Sequence, residues 1–144
     1  MGNEEHILIS LESRHAENIF LGHKRVELRR RTMNVSPGAT VWIYVKLPVG
    51  SIVGHARIGK VHASSPCALW RCYGPVSGLS KQEFFEYFGG SEQGVALVLE
   101  RSTRLRSSLS LETLRQVSER FQPPQFFARL TSEHPLHEAV TSSD

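Results

Sequence analysis

Only two cysteines, Cys67 and Cys72, occur in 144 residues. They are too few and too isolated to build a disulfide framework or a zinc site by themselves. The seven histidines show neither His-Glu-x-x-His nor any Cys/His spacing typical of zinc, so no metal and no cofactor is expected. No apolar run approaches the roughly 18 to 20 residues that a membrane span needs. The opening Met-Gly-Asn-Glu-Glu-His lacks the basic-then-apolar profile of a signal peptide and the Ser or Thr that ends a myristoylation motif. No internal repeat is visible. These absences together lead us to expect a cytoplasmic protein with reduced thiols and no membrane partner. A 40% hydrophobic and 22% charged composition suits one domain with a real core and argues against wholesale disorder.

What is present is concentrated. Seventeen Lys+Arg against fourteen Asp+Glu give a net charge of +3. Lys24, Arg25, Arg29, Arg30 and Arg31 set five cations against Glu27 within eight residues, a local +4 that leaves the rest of the chain at −1. Such clustering favours one localised anion site over a protein that is basic all round. The same stretch alternates like a strand: Lys24, Val26, Leu28 and Arg30 would point one way, and Arg25, Glu27, Arg29 and Arg31 the other. A plain solvated edge strand would also carry such charges, because cations on an edge discourage strand-to-strand aggregation.

Ile7 to Leu11 reads as a first strand, and Ala16, Ile19 and Phe20 give helical spacing that Gly22 ends. Ser36-Pro37-Gly38 turns into a strand over Val41, Trp42, Ile43, Tyr44 and Val45. Residues 51 to 63, with Gly54 and Gly59, predict a long bent strand of the kind a barrel requires. Ser65-Pro66 starts one helix, and Ser80-Lys81-Gln82-Glu83 has the capping-box pattern for another that Gly89-Gly90 closes. A strand over Val95 to Glu100 and a helix over Ser110 to Phe121 complete the pattern. The reading is one domain over residues 1–131 and a loosely ordered tail over 132–144, where no periodicity is left.

Three local sequences in this order resemble the ASCH domain, a PUA-like group of small β-barrels. They are Ile7-Leu8-Ile9-Ser10-Leu11 with a helix ending Phe20-Leu21-Gly22-His23-Lys24, then Val26-Glu27-Leu28-Arg29-Arg30-Arg31, then Val41-Trp42-Ile43-Tyr44 leading to Pro48-Val49-Gly50. The resemblance spans residues 6 to about 104 and implies an α+β fold, a small mixed barrel of five to six strands flanked by helices. It also implies a cleft between barrel and first helix that takes RNA or a related ligand, and kinship with enzymes that hydrolyse N4-acetylcytidine or cleave RNA. The amidohydrolase branch has a Lys-x-x-Thr-x-Arg pattern. Here it reads Lys24-x-x-Glu27-x-Arg29, and residues 73–78 lack the acid that branch carries before its later helix.

The leading expectation is therefore a nucleic-acid-binding module, for RNA or a nucleotide. Lys24, Arg25, Arg29, Arg30 and Arg31 would meet phosphates, and Glu27 would accept hydrogen bonds from a base. Tyr44 and Lys46, near a strand end, would offer a ring and a cation; Trp42 on the same face belongs rather to the core. Glu27 could equally form an ion pair with Arg25 or Arg29. Catalytic roles, if any, fall to Lys24, Glu27 and Ser10, in a metal-independent hydrolase of RNA or of an acylated nucleoside. A regulatory protein binding an anionic small ligand is the remaining class. Nothing in the sequence requires an oligomer.

Overall fold

The computed structural model describes residues 4–143. Its strands are β1 (His6–Leu11), β2 (Val26–Arg29), β3 (Thr40–Val45), β4 (Ser51–Ser64), β5 (Gly94–Ser110) and β6 (Ala128–Arg129). Five helices accompany them: α1 (Ser13–Phe20), α2 (Pro66–Tyr73), α3 (Lys81–Phe88), α4 (Leu111–Val117) and α5 (Pro135–Thr141). The strands form one curled sheet in the order β2-β5-β4-β3-β1-β6. β1 and β3 run parallel, because α1 and β2 lie between them in the chain, and the other pairs are antiparallel. The α+β architecture expected from the sequence is present.

Three apolar clusters divide the work. The concave face of the sheet holds Ile7, Ile9, Val41, Ile43, Ile58 and Leu97 against Ile19 of α1. Outside β1 and β3, α4 and α5 bury Leu8, Trp42 and Tyr44 with Leu114, Leu136 and Val140. Outside β2 and β5, α2 and α3 cover Val26, Leu28 and Ala96 with Leu69, Phe84 and Phe88. Because side chains alternate along a strand, Val26 and Leu28 on the outer face leave Glu27 and Arg29 on the inner one, where Glu27 is opposite Leu97.

β4 bends where its register with β5 shifts, and Gly54 sits at one such shift. A Cβ there would stand 2.4 Å from the Thr103 carbonyl oxygen and 2.5 Å from Phe20 Cζ, so the close approach of α1 to the bend requires glycine. Predicted helix starts are in place. Ser65 and Ser110 cap α2 and α4, and Ser80 with Glu83 forms the full capping box of α3.

Element boundaries differ from the sequence reading, and the strand-like stretch over residues 24–31 is a strand only over Val26–Arg29. β5 continues to Ser110 instead of ending near residue 100, and α4 stops at Val117. Past Leu99 this strand pairs with β4 alone, so only Leu105 is buried between residues 100 and 108 and the apolar signal fades. The stretch read as a loose tail contains α5, with His134 as its N-cap and with Leu136 and Val140 wholly buried. Two apolar residues four apart suffice to dock one short helix, which is too little for a visible periodicity.

Candidate functional site

The sheet's two edge strands, β2 and β6, do not pair with each other. At this seam the barrel is left open, and a cleft of about 540 Å³ occupies it. β1 contributes Ser10 and Leu11, the start of α1 contributes Arg14 and His15, and Lys46 stands just past β3. Lys24 and residues 27–31 form one wall, Glu83 and Tyr87 of α3 another, and Gln125 with Phe126 approaches from ahead of β6.

The charges at its base are buried. Lys24, Glu27 and Arg29 are only 4%, 6% and 8% exposed. Arg29 Nη2 pairs with Glu27 Oε2 at 2.8 Å, and its Nη1 donates to the Phe126 carbonyl oxygen at 2.6 Å. The second bond ties edge strand β2 to the main chain leading into β6, so one guanidinium spans the seam. Lys24 Nζ donates to the Ser77 carbonyl oxygen at 2.6 Å. Burial holds the Lys24 ammonium below its ordinary range, and Glu27 opposes that shift. His15 is likewise lowered from 6.5, chiefly by burial and then by Lys24, so its imidazole is neutral at pH 7.

Arg30 and Arg31 are exposed and set against aromatic rings: Arg30 lies 5.3 Å from the centre of Tyr87, and Arg31 4.8 Å from that of Phe126. Arg14 crosses to Glu83 at 2.7 Å. Three buried side-chain polar atoms lack a partner among the described residues: Ser10 Oγ, His15 Nδ1 and Arg29 Nε. All three belong to residues lining this cleft. Leaving such atoms unpaired costs roughly 1–3 kcal/mol each, a debt that a polar ligand or water reaching them would reduce.

Of the residues singled out in the sequence, Ser10, Lys24, Glu27, Arg29, Arg30, Arg31 and Lys46 line the cleft. Arg25 does not; its Nε turns back to the Gly22 carbonyl oxygen at 3.3 Å. Tyr44 is 2% exposed and packs edge-on to Phe121 in the cluster under α4 and α5. It shares the outward face with Trp42, as the alternation required, and helices cover that face. Sequence reasoning missed Arg14, His15, Glu83, Tyr87 and Phe126. Glu83 was legible only as a cap, and Phe126 only as an apolar residue after two prolines.

A curled sheet of this order, open at a cation-lined seam beside its first helix, defines a PUA-like barrel protein. No family model matches the chain. It is 35% identical over 126 residues to the ASCH domain-containing ribonuclease of Zymomonas mobilis, covering 88% of this chain and 84% of that protein. The crystal structure of ASCH from Zymomonas mobilis is similar with a TM-score of 0.89, at 32% identity over 96% of each chain. A mutant of that protein gives 0.89 at 30% identity over the full length of both. The chain belongs to the ASCH domain family. Among the described residues, no helix is long and apolar enough to cross a membrane.

Proposed function

We propose that the seam cleft binds single-stranded RNA, with the phosphate backbone along Arg30, Arg31 and Lys46 and one nucleotide above the buried Lys24, Glu27 and Arg29. The observation that carries this reading is the pairing of exposed cations at the rim with three buried charged groups at the base of one cavity. Rim cations neutralise phosphates and release counterions, which gives affinity without sequence preference. Arg30 over Tyr87 and Arg31 over Phe126 set stacking surfaces beside those cations. Arg25 and Tyr44 take no part in this arrangement.

Arg31→Ala should weaken binding of a short labelled RNA in a filter titration and reduce the slope of log K against log salt by about 0.7, the value of one phosphate contact on a single strand. An unchanged affinity and slope would count against the rim as the phosphate track.

Cleavage of the bound strand is the second reading, favoured by the ribonuclease named among the relatives and by a neutral His15 beside a desolvated Lys24. In it His15 takes the proton from a ribose 2′-hydroxyl, the 2′-oxygen attacks the adjacent phosphorus, and the bond to the 5′-oxygen breaks. Lys24 gives that oxygen its proton, and a 2′,3′-cyclic phosphate remains. The rate would then rise with pH through a value below 6.5, where His15 loses its proton. Gel analysis of labelled RNA across pH 4.5–8, with and without added Mg²⁺, tests this; intact RNA under every condition leaves a binder. Deacylation of N4-acetylcytidine finds less support, because Glu27 replaces the branch's threonine and is held by Arg29.

A further inference from the structure

The mode of confinement of Lys24 is unusual for a cleft cation. Its backbone N–H donates to the Asn18 carbonyl oxygen at the end of α1, at 2.9 Å, and the next residue's N–H donates to the Val76 carbonyl oxygen at 2.8 Å. The side chain then runs under the loop that follows α2. Ser77, with no exposed surface, knots that loop: its Oγ donates to the Gly74 carbonyl oxygen at 2.8 Å and accepts the Leu79 N–H at 3.2 Å. The carbonyl oxygen of the same serine receives the Lys24 ammonium.

Gly78 completes the enclosure. Its φ of +73° lies in the left-handed region that favours glycine, and a Cβ there would stand 3.2 Å from both Cβ and Cδ of Lys24 and 3.3 Å from Cγ. Glycine is thus favoured by the backbone, and a Cβ there would press on the lysine stem so that one of the two must give by a few tenths of an ångström. Neither Ser77 nor Gly78 lines the cleft.

We propose that residues 74–79 act as a collar that sets the position and acidity of the Lys24 ammonium, with Ser77 and Gly78 as positioning residues of the site. The collar does two opposed things. Its main chain excludes water from the stem, which disfavours the charge, and its carbonyl at 2.6 Å gives the ammonium one fixed acceptor. The effect on RNA rests on the reading given above; the control of the amine itself does not.

The test is Gly78→Asn. Asparagine tolerates the left-handed backbone, so the variant adds a Cβ against Lys24 with little backbone strain. Gly38→Asn is the control, since Gly38 has φ +97°, holds the third position of a turn closed by the Ala39 N–H to the Ser36 carbonyl oxygen, and meets nothing nearer than Arg57 Nη2 at 3.7 Å. The Lys24 amine is followed by NMR titration of isotopically labelled lysine, assigned with Lys24→Met. In Gly78→Asn the amine should titrate closer to 10.5, as its stem is pushed toward water, and RNA affinity should fall at least about tenfold, the scale of one charge-assisted bond. Gly38→Asn should move neither. In a Lys24→Met background, Gly78→Asn should cause no further loss of affinity. An unmoved amine in a folded Gly78→Asn protein overturns the collar, as does additivity in the double variant. Wild-type protein that ignores RNA would defeat the RNA reading alone, because the amine titration still decides the collar.

Discussion

Arg29→Met should destabilise the protein by about 3–5 kcal/mol, the scale for breaking a buried ion pair from one side. Glu27 is on the inner face of the sheet opposite Leu97, and the Arg29 guanidinium 2.8 Å away is its ion-pair partner. Without it the buried Glu27 carboxylate loses its ion-pair partner, and the bond from β2 to the Phe126 carbonyl oxygen is lost as well. Glu27→Gln combined with Arg29→Met should recover much of the loss, since a neutral amide costs less to bury than an unpaired charge. Urea unfolding of the three proteins decides the matter; a single-variant loss below about 1 kcal/mol would mean that the pair behaves like an exposed one.

Lys24→Met should have the opposite profile, with the fold retained and the proposed role of the cleft impaired. Burial holds the Lys24 ammonium below its ordinary 10.5, so between the folded value and 10.5 the unfolded chain binds more protons. Stability therefore rises with pH across that window and is reduced below it, where the charged form is buried at a cost. Methionine fills similar space without the charge, and the variant should be no less stable than the wild type at pH 7 and should lack the alkaline gain. On the cleavage reading, loss of the proton that Lys24 gives the 5′-oxygen should meanwhile lower RNA cleavage by about 10²–10⁴-fold. Thermal unfolding at pH 7 and pH 10, with a single-turnover cleavage assay, measures both. A variant that unfolds readily yet cleaves normally in its folded fraction would reverse the assignment of Lys24 from site to scaffold.

Much of the site was legible because β2 carries both its core and its chemistry in four residues. Val26 and Leu28 had to face a core, so Glu27 and Arg29 had to share the other side. The alternation did not reveal that this other side was the inside of the barrel, since a charged pair at alternate positions reads as a solvated face. Lys24 and Arg25 escaped the alternation altogether: both precede the strand, and hydrogen bonds to Asn18 and Val76 fix the chain there. Tyr44 shows the converse limit. That it shares one face of β3 with Trp42 was legible, and what covers that face depends on α4 and α5, more than sixty residues away. The ASCH resemblance supplied the seam beside α1, which no local pattern encodes.

The long β4–β5 ribbon separates the molecule into unequal partners. The cleft rests on the interior cluster and on the aromatic cluster under α2 and α3, while α4 and α5 are seated on the far outer face. Detachment of the C-terminal helix would show as amides of α5 exchanging with solvent faster than those of β2, and it would loosen Ala128 and Leu130 on the β6 side of the seam before the β2 side.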